Sequence, residues 1–173
     1  VNLEISQVPN VKSQLITPPN VLRQKLGGKL PAADADALAR AEMALQALSG
    51  QFQEWMEDEV NKLVAAHVAA KAAGLADEQL NRLYGHSHDV KGLAGTYEYP
   101  AVTRLANSLC RLIETPEARK AARTQPALID AHVEAVRLMV RDQIKPIDHP
   151  VAVALMSELE SRTLKLLASA AKD

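Results

Sequence analysis

The chain has 173 residues, 47% hydrophobic but only 3% aromatic, with seven glycines and a net charge of -1. That length supports one domain with a sizeable core, and abundant alanine and leucine with few glycines point to an all-helical fold. The charge balance leaves no basic surplus to hold nucleic acid, and no apolar run approaches the ~20 residues of a membrane span. The single cysteine, Cys110, excludes an internal disulfide and fits a reducing compartment. The first residues carry no signal-peptide core, so a cytoplasmic location is expected.

Residues 1–31 stand apart. Val1, Leu3 and Ile5 alternate with polar residues, Pro9, Pro18, Pro19 and Pro31 punctuate the segment, and Gly27-Gly28 breaks it again. No helix of useful length is expected there. The segment reads either as an extended arm along a helical bundle or as a docking segment for a partner or a second subunit. The helical part covers 32–173. Its first helix begins near Asp34 or Asp36, both capping residue types. Leu38, Ala41, Leu45, Leu48, Phe52, Trp55 and Met56 form an apolar face that Val60, Leu63, Val64 and His67 carry toward Ala73. The register hardly shifts across Ser49-Gly50, which leaves open one long helix or two coaxial ones kinked at Gly50. The acidic run Glu54, Glu57, Asp58 and Glu59 reads as a solvated face, and His67 as a core residue. Gly74 closes the helix as its C′ residue.

Asp77 is the expected N-cap of the next helix, 77–97, and Tyr97 to Pro100 makes a tight junction. A helix over 100–114 follows, with Pro100 in its first turn. Val102, Leu105, Ala106, Leu109, Leu112 and Ile113 are its core stripe, and Arg104, Asn107, Ser108 and Arg111 its outer face. That outer face is either simply solvated or a docking rim. Cys110 has no His or acid at catalytic spacing and reads as packing. A short basic helix is expected over 117–123, a longer one over 126–144 with Ile129, Val133, Val136, Val140 and Ile144 inward, and a last one over 151–170. Short loops between them suit an antiparallel bundle.

Helix 77–97 carries the chemistry. At about 100° per residue, Leu80, Leu83, Ser87, Val90, Ala94 and Tyr97 share one side, and Tyr84, His88, Lys91, Gly92 and Gly95 share the other. Each glycine costs about 1 kcal/mol against alanine inside a helix. Two of them beside a His and a Lys point to a surface kept flat for the approach of another backbone or a bulky anion. An imidazole, with an ordinary pKa of about 6.5, is a nucleophile near neutral pH. A phosphoryl group arriving on His88 brings about two negative charges; Lys91, at i+3, is placed to offset them. Gly92, at i+4, removes a side chain that would crowd the site. His86 lies about 200° from His88 around the helix. It therefore falls toward the core side and reads as a packed or flanking residue, and the same angle argues against His86 and His88 chelating one metal.

His88-x-x-Lys91-Gly92, mid-helix with the core on the far side, resembles the histidine-containing phosphotransfer (HPt) domain of bacterial phosphorelays, the match covering roughly Leu80 to Glu114. The resemblance implies an antiparallel four-helix bundle with its core at about 51–144 and a phospho-acceptor helix at about 77–97. The helices at 34–49 and 151–171 are then additions that either thicken the bundle or build a homodimer interface. It implies that His88 accepts a phosphoryl group from a receiver-domain aspartate and passes it to another receiver, with Lys91 neutralising charge. Tyr84, Gly92, Gly95, Arg104, Asn107 and Arg111 would form the docking surface. The implied partners are response-regulator receiver domains or a hybrid histidine kinase, with Mg²⁺ on the receiver and no cofactor on this chain. No P-loop or Gly-rich kinase loop is present, so phosphorylation from ATP is not expected. The alternative is a non-catalytic helical adaptor or scaffold with an HPt-like fold. A di-iron bundle would need Glu-x-x-His pairs; none of His67, His86, His88, His132 and His149 has a Glu three residues before it, and no metal ligands are assigned.

Overall fold

The computed structural model describes residues 35–170. Among them the chain forms six helices and no strand: α1 (Ala35–Ala72), α2 (Asp77–Thr96), α3 (Pro100–Ile113), α4 (Pro116–Thr124), α5 (Pro126–Arg141) and α6 (Pro150–Ala170). The all-α reading therefore holds. No described helix is long and apolar enough to cross a membrane. α1 is unbroken over 38 residues, so the single helix forms rather than two. Asp36 lies inside its first turn instead of capping it. Asp34 and the arm at 1–31 lie outside the described residues.

The chain divides into two units, Val1–Ala44 and Leu45–Asp173. In the first, the described side chains, Asp36 to Ala44, are all exposed. In the second, α2 and α3 form an antiparallel hairpin, α5 packs on α3, and α6 packs on α3, α4 and α5. The second half of α1 completes a four-helix arrangement with α2, α3 and α5. Its Gln53 side chain donates to the Val140 carbonyl of α5 and accepts from the Tyr99 hydroxyl at the α2–α3 junction. Its His67 and Lys71 both reach Asp130 of α5, at 2.7 and 2.8 Å. Burial pushes the Asp130 carboxyl up, but the Lys71 and His67 hydrogen bonds outweigh it and hold the carboxyl below the ordinary aspartate range. The core is apolar from all four helices: Met56 and Leu63 of α1, Leu80 and Leu83 of α2, Leu105 and Leu109 of α3, Ile129 and Met139 of α5 are fully buried. Other apolar residues of α1 in this unit, Leu45, Leu48 and Trp55, are exposed, as is Leu38 in the first unit.

Three helices of this bundle end in the same way. After α1, the Leu75 N–H bonds the Ala70 carbonyl and the Gly74 N–H the Lys71 carbonyl. After α2, the Tyr99 N–H bonds the Ala94 carbonyl, and after α5 the Ile144 N–H bonds the Met139 carbonyl. These are Schellman closures, which satisfy carbonyls the helix leaves unpaired. In each, the residue after the reversal is buried: Leu75, Tyr99 and Ile144. This accounts for a difference from the sequence reading. Ile144 faces inward as expected, yet α5 stops at Arg141, because Ile144 is the apolar stopper rather than the last helical turn. The reversal needs a left-handed residue. Gly74 (φ 62°) supplies one at little cost, whereas Glu98 (φ 62°) and Gln143 (φ 51°) are side-chain-bearing residues held there.

Two further ties fix the start of α2. Arg123 of α4 donates to the Leu75 carbonyl and to Asp77, and Arg119 donates to the Ile113 carbonyl and to Asn81. Asp77 is the first helical residue, with Ala76 as N-cap, so its carboxylate meets Arg123 instead of capping the backbone. Thr115 does cap α4, accepting from the Ala118 N–H at 3.1 Å.

α6 changes the reading of α3. Ser108, expected on the outer face, is buried beneath α6. It lies 2.9 Å from Nε2 of His132 and 3.2 Å from the Thr163 hydroxyl, while Nδ1 of His132 lies 2.7 Å from the Leu128 carbonyl. A neutral His132 satisfies the set: Nδ1–H donates to Leu128, and Nε2 accepts from Ser108. Burial pushes the His132 pKa down, against smaller opposing effects of the Leu128 carbonyl and Glu160. No buried side-chain nitrogen or oxygen among the described residues lacks a hydrogen-bond partner.

Candidate functional site

α2 buries Leu80, Leu83, Ser87, Val90 and Ala94 against the bundle, the stripe expected from its spacing. Ser87 is tolerated there because its hydroxyl donates back to the Leu83 carbonyl at 2.7 Å. The opposite face is open. His88 is exposed at mid-helix. Among the described residues its ring has one aromatic neighbour, Tyr84 a turn earlier, with centroids 6.3 Å apart and planes 28° apart, and no hydrogen-bond or ion-pair partner. The imidazole nitrogens are thus presented to an incoming group, with Tyr84 shielding one side of the ring.

The glycines around His88 are not required by internal packing. A Cβ at Gly92 would meet nothing within 4 Å, and one at Gly95 would meet only the Thr103 hydroxyl at 3.9 Å. Gly85, at i-3 from His88, is equally unobstructed and belongs to this face too, as its spacing from His88 implies. Three glycines on one helix cost about 3 kcal/mol against alanine, and no neighbour among the described residues compels them. Their effect is outward: they lower the surface beside the imidazole.

Lys91 is half-buried on the side of this face toward α3. Its charge reaches Cys110, but burial dominates and pushes the thiol up to about 11, so Cys110 is a protonated packing residue at neutral pH. The Gly95–Thr103 approach and the Lys91–Cys110 proximity bracket Asn107, which lies between Thr103 and Cys110 on the helical repeat. Asn107 is exposed there and flanks the His88 face. The two arginines named with it are placed differently. Arg104 is held by Glu160 of α6, through Nε at 2.9 Å and an Nη at 2.5 Å. Arg111 is exposed and lines a groove with Leu167 and Ala170 of α6. The structure therefore brings together Tyr84, His88, Lys91, Gly92, Gly95 and Asn107, and turns Arg104 and Arg111 toward α6.

On the other flank, His86 is half-buried and its Nδ1 lies 3.2 Å from Oε1 of Glu59. Glu59 is buried, not part of a solvated acidic face. Nothing along either helix alone could have paired these residues, which are 27 positions apart.

A family model for the Hpt domain matches residues 47–142, more than half of the chain and the whole stretch from mid-α1 to the end of α5. The chain belongs to the Hpt domain family. No curated protein and no solved structure matches it. Membership carries the general activity: Hpt domains transfer phosphoryl groups through a histidine in phosphorelays, and they interact with receiver domains and histidine kinases. The matched span contains the exposed His88 and its glycine-lowered surroundings, and it excludes α6, which packs onto the Hpt bundle from outside the matched residues.

Proposed function

We propose that this Hpt protein is a phosphorelay intermediate whose acceptor is His88. The observation that carries the reading is the pairing of an exposed, unbonded imidazole with glycines at i-3, i+4 and i+7 that no internal contact requires. In the proposed step, a ring nitrogen of His88 attacks the phosphorus of a receiver's aspartyl phosphate in line. The N–P bond forms as the P–O bond to the aspartyl carboxylate breaks, and that carboxylate leaves with the electron pair. Transfer to a second receiver is the reverse. Such a reaction depends on alignment and charge neutralisation more than on covalent help. Lys91 supplies one positive charge beside the acceptor, and Tyr84, Gly92, Gly95 and Asn107 supply the docking surface. Mg²⁺ belongs to the receiver in this scheme.

The test is phosphate transfer from a phosphorylated receiver domain to the full chain. An acid-labile, alkali-stable phosphate is expected on the native chain and none on His88→Gln. His86→Gln should still accept phosphate, Lys91→Ala should slow transfer, and Gly92→Leu should block docking while the helical content stays intact. Equal loss in His86→Gln and His88→Gln would overturn the assignment of the acceptor. Failure of transfer from a broad panel of active receivers would favour the adaptor reading.

A further inference from the structure

Beside the His88 face, three side chains of metal-ligating type converge from two helices. His86 and Asp89 are an i,i+3 pair, about 60° apart around α2, and Glu59 reaches them from α1. Each offers a ligand atom, and these atoms all lie within 4.8 Å of one another. Glu59 and His86 already meet at 3.2 Å. We propose that Glu59, His86 and Asp89 form a binding site for a divalent transition-metal ion of the Zn²⁺ class, clamping α1 to α2.

The charges suit a dication. The Lys62 amine sits 3.1 Å from the other Glu59 oxygen, Oε2, which would seem to compete. The same amine lies 2.8 Å from Asp58, so Lys62 has a carboxylate of its own when Glu59 turns to a metal. Asp58 offsets Lys62, and the carboxylates of Glu59 and Asp89 remain to neutralise the ion. The donor set, one imidazole nitrogen and two carboxylate oxygens, favours Zn²⁺ and its transition-metal neighbours over Mg²⁺ or Ca²⁺, which take oxygen ligands. Burial is graded across the site: Glu59 is buried, His86 half-buried and Asp89 exposed. The fold therefore fixes the inner ligand, and the outer one closes from solvent, leaving a fourth position for water. The site uses none of the groups assigned to phosphoryl transfer and stands whether or not His88 is the acceptor.

The experiment is a Zn²⁺ titration of the full metal-free chain against a chromophoric chelator, with melting temperature followed in parallel. One equivalent should bind, and the melting temperature should rise with it. Asp89→Asn, His86→Gln and Glu59→Gln should each weaken binding about tenfold or more, while His149→Gln leaves it unchanged. Glu59→Gln and His86→Gln also remove a contact between helices; Asp89→Asn, at an exposed position, isolates the metal effect from folding. Absence of stoichiometric binding, or native affinity in Asp89→Asn, would overturn the proposal. So would loss of binding in His149→Gln, which would mark the ion as held by another surface histidine.

Discussion

His88 and His132 are the same side chain in opposite settings. His88 stands exposed on α2 with a neighbouring ring and no hydrogen-bond partner among the described residues. His132 is fully buried on α5, with the Leu128 carbonyl on one nitrogen and Ser108 on the other. An imidazole held at both nitrogens in a low-dielectric interior cannot act as a nucleophile toward another molecule; one held at neither can. Conversely, the free imidazole contributes almost nothing to stability, because it replaces no water contact with a protein one, whereas the buried one joins α3, α5 and α6 through Ser108 and Thr163. On the proposed reading the open face of α2 serves phosphoryl transfer at a cost in helix propensity, and the closed interior carries stability by leaving no buried side-chain nitrogen or oxygen among the described residues unmet.

Exchanging the losses is the strongest way to break this comparison. His88→Gln should abolish phosphate acceptance while changing unfolding free energy by no more than about 0.5 kcal/mol, as for an exposed substitution without partners. His132→Ala should do the reverse. It leaves a cavity and removes one of the two hydrogen-bond partners of the Ser108 hydroxyl, Thr163 remaining as the other, costs about 2–4 kcal/mol, and spares phosphate acceptance in whatever fraction remains folded. Urea unfolding and receiver-transfer assays on the two variants decide it. A His132→Ala chain of native stability would show that the buried network is incidental.

A weaker, pH-dependent effect should follow from the same burial. His132 has its pKa pushed below the ordinary value by burial, so below about pH 6.5 the unfolded chain takes up a proton that the folded chain refuses. The sign is fixed: protonation favours unfolding, and stability falls as pH drops from about 6.5 toward the depressed folded pKa, then stops changing on this account. Asp130, held below the ordinary aspartate range, loses its contribution only at pH below about 4, which separates the two windows. Unfolding midpoints measured between pH 7.5 and 5 should therefore decline in the native chain and flatten in His132→Gln. An unchanged slope in the variant would assign the dependence to other groups.

Much of the open region was legible in the sequence, and much of the closed region was not. The 3.6-residue period of α2 placed Leu80, Leu83, Ser87, Val90 and Ala94 inward, and His88, Gly92 and Gly95 outward, because a helix fixes the angle between its own residues. The family then followed from a short motif on one helix. The period cannot say what covers a face. Ser108 lies on a polar stripe of α3 that reads as solvated, and α6 turns it into a core position by packing over it. Arg104, on the same stripe, becomes the partner of Glu160 across 56 residues. Glu59 reads as one of an acidic run, although its carboxylate meets His86 on another helix. Each miss is a contact between helices made by residues whose local pattern is polar, and local pattern prices a polar residue as if water were its partner.

The closed region also sets the smallest test. The interior is sealed at the helix ends even where the backbone must be strained to do it: Glu98 and Gln143 sit at positive φ so that Tyr99 and Ile144 can bury. A left-handed conformation costs a residue with a Cβ about 1 kcal/mol relative to glycine, and Gly74 takes the reversal position at the end of α1 without that cost, although Leu75 after it is also left-handed (φ 59°). Glu98→Gly should therefore raise stability by about 0.5–1 kcal/mol, with no change in phosphate acceptance, and Gly74→Ala should lower stability by about as much despite the open space around it. Paired denaturation curves would show both shifts with unchanged urea slopes. If Glu98→Gly gave no gain, the side chain of Glu98 would be supplying an interaction that offsets its strain, and the region beyond α2 would have to be counted with the open face instead of the closed one.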